Sequence, residues 1–158
     1  MRALLGVVVL LAFAGSAAAA VGSPRFRRAD GSTIVFPPGV RAWCDRTSLN
    51  VVSLGRIRQS RWQLEVARSN VHSGRVVRFR WRHAHGISVF VYDSKTHNEA
   101  SQGTEGSRGV VRLRRATCRR GCSLEIGLSG TIGSEFSDGK PIRISGTYRG
   151  KVGARPQY

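Results

Sequence analysis

The stretch RVVRFRWRHAHG, residues 75–86, gathers the side chains with the most chemistry in the chain. Arg78, Arg80 and Arg82 recur at every second position, separated by Phe79 and Trp81 and preceded by Val77. Successive side chains of a β-strand point to opposite faces. The alternation therefore places Val77, Phe79 and Trp81 in a core and the arginines in solvent, because burying an unpaired guanidinium costs several kcal/mol. The pattern runs on into His83 and His85. At i and i+2 of a strand both imidazoles would share a face and could reach one metal ion. His72 or His97 could complete such a set, and the chain would then be a secreted metal-binding protein or hydrolase. The plainer expectation is a pair of rim histidines, with Gly86 ending the strand.

The same polar phase recurs elsewhere. Arg112 and Arg114 alternate with Val111 and Leu113, and Arg143 lies between Ile142 and Ile144. If these strands are neighbours, the arginines form a broad cationic face that Arg58, Arg61, Arg119 and Arg120 could extend. Like charges directly opposed across strands are destabilising, so such a face calls for an anionic partner: wall polymers, lipid head groups or extracellular nucleic acid. The alternative scatters them as solvated residues paired with Glu65, Glu125 and other acids.

Catalytic patterns are sparse. Glu125, Glu135 and Asp138 could supply a carboxylate pair for glycoside hydrolysis, but Asp138-Gly139 is also an ordinary turn signal. There is no G-x-S-x-G elbow and no Walker or dinucleotide glycine pattern. A Cys–His nucleophile would rest only on a leftover thiol. The reading is therefore non-catalytic, with no cofactor.

The elements that must position these residues are strands. WQLEV (62–66), VRFRW (77–81), VVRLR (110–114), LEIGL (124–128) and IRISGTY (142–148) alternate at period two, and ISVFVY (87–92) is apolar on both faces, as a central strand would be. TIVF (33–36) and RAWC (41–44) are shorter candidates. FPPG, NVHSG, RRG and SDGKP supply turns. No segment carries a 3.6-residue apolar stripe. This predicts an all-β fold, an antiparallel β-sandwich of seven or eight strands, with a small β-barrel as the alternative. Residues 93–109 read as a long polar loop.

The ends differ in character. Residues 1–20 have a short positive start, an apolar run from Ala3 to Ala14 and small residues at 18–20, the pattern of a secretory signal peptide. Residues 21–32 then form a linker, 33–150 the β-sandwich domain and 151–158 a flexible basic tail. Export places the protein outside the cell or in its envelope, with no integral span after cleavage. The whole chain carries 26 Lys plus Arg against 9 acids; without Arg2 the balance is 25 minus 9, or +16. Arginine supplies 23 of the 26 cations. Selection for forked binding to phosphate or carboxylate produces that skew, and so does a GC-rich codon usage.

Cys44, Cys118 and Cys122 allow one disulfide and one spare thiol. Cys118–Cys122 would close a tiny ring across RRG. Cys44–Cys118 and Cys44–Cys122 would each close a loop of about 75 residues, worth roughly 4 kcal/mol in the chain-entropy model.

The run IGSEFSDGKPIRISGTYRGKVG, with CRRG before it and an early Trp-Cys, resembles small exported proteins of high-GC actinobacteria that have no assigned activity. The resemblance spans about residues 42–153. It implies export and a β-rich fold and carries no site residue. Cys122 is the unusual cysteine in that pattern, so the resemblance favours pairing Cys44 with Cys118.

Overall fold

A computed structural model of the chain describes residues 22–156, except Gly55 and Ile57. The expected signal peptide lies outside the described residues. Ten strands follow in order: β1 (Arg25–Arg27), β2 (Val40–Cys44), β3 (Ser48–Ser53), β4 (Arg61–Ala67), β5 (Arg75–Arg80), β6 (Ile87–Asp93), β7 (Asn98–Ser101), β8 (Arg108–Arg115), β9 (Ser123–Ser134) and β10 (Ile142–Lys151). The fold is all-β, and every strand pairing is antiparallel. Among the described residues the helical structure is one 3-10 turn, Arg68–Asn70, and no helix is long and apolar enough to cross a membrane.

The strands form two leaves. Leaf A runs β1–β10–β9–β8–β5, and leaf B runs β7–β6–β4–β3–β2. The long β9 joins them, pairing β8 and β10 along most of its length and β7 at Gly133 and Ser134. Across the molecule a second seam brings the leaves together. There Ala42 of β2 bridges Val152, just past β10, and Gly153 donates its N–H to the Ala42 carbonyl at 2.7 Å. The Cys44–Cys118 disulfide lies near this seam, leaving Cys122 as the free thiol. The result is a half-barrel, between the sandwich and the barrel.

The core is the inward phase of both leaves. Leu49, Val51, Trp62, Leu64, Val89 and Val91 face Phe26, Val111, Leu113, Ile126, Ile144 and Tyr148, all buried. Phe26, Trp62 and Tyr148 form a chain of rings with centroids 5.5 and 6.5 Å apart. Gly109 is opposed to Phe79, and a Cβ there would lie 2.4 Å from the ring. The bare glycine lets the ring lie against the neighbouring strand.

Several sequence expectations change. Residues 25–27, inside the expected linker, form β1, because Phe26 reaches the core and the segment pairs with β10. TIVF is not a strand: Thr33 makes an isolated bridge to Arg27, Ile34 is buried and Val35 is exposed, and Pro37-Pro38 stop the ladder. The expected loop 93–109 contains β7, which sends only Ala100 into the core. β3 escapes the alternation rule because Ser48, Asn50 and Ser53 occupy buried positions. Asn50 donates to Asp45 and Ser48 at 3.0 and 3.1 Å, and Ser53 Oγ accepts the Trp62 N–H at 2.8 Å.

Candidate anion-binding face

Strand periodicity sorts the arginines by face. In β5, Val77 and Phe79 are buried while Arg78 and Arg80 are exposed. Arg108, Arg112 and Arg114 of β8 have the same outward phase around Val111 and Leu113. In β10, Arg143, Arg149 and Lys151 alternate with Ile142, Ile144 and Tyr148, and in β1 Arg25 and Arg27 flank Phe26. The pairing order places all ten of these cations on the outer face of leaf A. One carboxylate belongs to that face: Glu125 of β9, which accepts from Arg114 at 3.2 Å and Arg149 at 3.4 Å. The hydrogen bond from Arg114 does most to lower its pKa, opposed by burial and aided by Arg149.

The outward phase of leaf B is balanced instead. Its strand ionisable residues are Arg41, Arg61, Glu65 and Glu99. The Arg61 guanidinium lies 4.9 Å from the Tyr92 ring centroid and 5.8 Å from that of Phe90. The strand cations of the two leaves are therefore strongly segregated.

Of the six arginines expected to form a face, Arg78, Arg80, Arg112, Arg114 and Arg143 are brought together. Arg82 is not among them. β5 ends at Arg80, and Arg80 and His83 exchange backbone hydrogen bonds of 3.1 and 2.8 Å in a tight turn. Arg82 has a φ of 64° there, and its guanidinium lies 4.2 Å from the Trp81 ring centroid. Trp81 is accordingly half-buried rather than a core residue. A second turn follows, with positive φ at His85 and Gly86, the signature of a type I′ turn. His83 and His85 thus lie in successive turns, not on one strand face. Their rings stack with centroids 6.2 Å apart. Among the described residues no group of three or more His, Cys, Asp or Glu is placed to hold a metal ion.

The other expected groups fall elsewhere. Arg61 belongs to leaf B, Arg58 to the β3–β4 connection, and Arg119 and Arg120 to the β8–β9 connection. Glu125 lies within β9 and Glu135 just beyond its end; the ten-residue segment between them spans up to about 33 Å when extended, against the ~10 Å limit of a glycosidase pair. Arg25, Arg27, Arg108, Arg149 and Lys151 were not foreseen. For Arg108 and Arg149 the signal was present, since each continues the alternation of a recognised strand by one step.

No protein-family model, curated protein or solved structure matches the chain.

Proposed function

We propose that this protein is an exported, non-catalytic module of the cell envelope or extracellular space that binds anionic polymers on the outer face of leaf A. The observation that carries this reading is the segregation of strand charge: ten outward cations against Glu125 on leaf A, and balanced charge on leaf B. Folding brings these cations together against their mutual repulsion, and a polyanion relieves that repulsion when it binds. The N-terminal apolar run and the disulfide support export, since disulfides persist in oxidising compartments.

Isothermal titration of the mature chain with heparin at several salt concentrations tests this. Binding through about five ionic contacts gives a log–log salt slope near −3 or steeper, by analogy with single-stranded nucleic acids. A flat salt dependence, or no binding at low salt, overturns the reading.

A further inference from the structure

We infer that the polymer crosses the strands of leaf A along one register row, and that its charged groups are phosphate or sulfate esters on a chain without aromatic bases. This rests on the polymer-binding reading above and specifies its ligand.

The row is defined by pairing. Arg80 opposes Arg108, Arg108 opposes Thr131, Thr131 opposes Arg143, and Arg143 opposes Arg27. Five strands thus contribute four arginines in file around one threonine. With strands about 4.8 Å apart, the file spans roughly 19 Å, and Arg108 and Arg143 stand about 10 Å from each other across Thr131. Two of the pairings, Arg80–Arg108 and Arg27–Arg143, set like charges directly opposite, the costly arrangement in a sheet. None of the four forms an ion pair among the described residues. Glu105 and Glu135 line a depression beside Arg108 and Thr131, but neither pairs with Arg108. The other end of the face differs, because Glu125 already holds Arg114 and Arg149. Of the ten cations, eight form no ion pair among the described residues; the row holds four of these, and it alone sets arginines directly opposite one another. At its β5–β8 end a depression of about 650 Å³ is lined by Arg78, Arg80, Arg108, His85 and Ser129.

The paired guanidiniums select the anion. A carboxylate can bridge two guanidiniums by sharing an oxygen, as Glu125 does between Arg114 and Arg149 at 3.2 and 3.4 Å, but it has only two oxygens to offer. A phosphate or sulfate monoester offers three terminal oxygens and can accept from both members of an opposed pair. The positions around the row select the chain. Thr131, Ser129, Ser145 and Thr147 present hydroxyls on the outward phase of β9 and β10, suited to a hydroxylated backbone. Bases of single-stranded nucleic acid need aromatic platforms. Of the rings adjacent in sequence to the row, Phe26 and Phe79 are buried and Trp81 already carries the Arg82 guanidinium, which leaves Phe136, in the depression beside Arg108 and Thr131, as a single ring where successive bases need several.

Matched double variants test the row. Arg108→Ser/Arg143→Ser removes one arginine of the row from β8 and one from β10; Arg112→Ser/Arg149→Ser removes the same charge from the same two strands off the row. Each is titrated with a heparin oligosaccharide, with the same oligosaccharide after desulfation, and with oligothymidylate of equal charge. Far-UV circular dichroism checks that both variants fold. The expected result is a loss of roughly tenfold or more in heparin affinity and a salt slope shallower by about one unit for the row variant. The off-row variant, whose residues belong to the same face, loses affinity by a smaller factor, about threefold. Equal losses in both variants overturn the row while leaving polymer binding intact. Undiminished binding of the desulfated oligosaccharide overturns the ester assignment, and tighter binding of oligothymidylate overturns the non-aromatic chain. If the unmodified protein shows no salt-dependent heparin binding, the broader reading has failed.

Discussion

Asp93 is the buried charge on which the arginine face depends indirectly. It closes β6 in the core phase, 1% exposed, and receives a bidentate fork from Arg28 at 2.5 and 2.9 Å. Thr96 Oγ1 and the Lys95 N–H also donate to it, at 2.7 and 3.1 Å. Burial is the largest influence on this carboxyl and opposes ionisation, but the Arg28 hydrogen bond, with those from Thr96 and Lys95, outweighs it and holds the pKa below its usual value. Arg28 directly follows β1, so this pair pins the short strand that presents Arg25 and Arg27. Asp93→Asn should destabilise the protein by about 2–3 kcal/mol at neutral pH, because it leaves a largely buried guanidinium without its counter-charge. A carboxyl with a depressed folded pKa contributes stability above its unfolded value, near 4, and loses it as pH falls through the lower folded value. Urea unfolding should therefore show the gap between wild type and Asp93→Asn narrowing from about pH 5 to about pH 2. A gap independent of pH in that range would show that the pair does not act through its charge.

At the scale of the elements, the disulfide fastens the seam between the leaves. Cys44 ends β2 and Cys118 lies in the connection from β8 to β9, with a sequence separation of 74. Replacing both by serine should cost roughly 4 kcal/mol in the chain-entropy model, seen as a lower denaturation midpoint. A midpoint unchanged from wild type would mean that the β2–Val152 pairing holds the seam alone. The elements also show how far sequence carries. Strands β4, β5, β6, β8, β9 and β10 were legible because each alternates a full apolar set with a polar one. β1 and β7 were not, since each commits a single side chain to the core. β3 was hidden because its buried positions carry polar groups satisfied only by distant or turn partners. The arginine face was half legible: five of its members lie within strands that alternation identifies. Arg82, His83 and His85 continued that alternation in sequence only, because Arg82 and His85 adopt positive φ and fold the segment into turns. Which strands are neighbours, and hence that the arginines meet on one leaf, is set by long-range pairing that no local pattern encodes.

Across the whole molecule, the net charge of +17 conceals an asymmetry. Strand cations are concentrated on the outside of leaf A, while the outward strand charges of leaf B cancel. A uniformly basic protein would bind polyanions through any of its faces; this one gathers most of its strand cations on one face. The central claim is that location matters and net charge alone does not. Its most direct measurement compares two variants of equal charge for heparin affinity at physiological salt. One is Arg78→Ser/Arg80→Ser/Arg143→Ser on leaf A. The other is Arg41→Ser/Arg56→Ser/Arg58→Ser, in β2 and the β3–β4 connection of leaf B. The leaf A variant should lose at least about tenfold in affinity, with a shallower salt slope, while the leaf B variant remains within about threefold of the unmodified protein. Equal losses from the two variants would contradict it, since binding would then follow net charge and not the face.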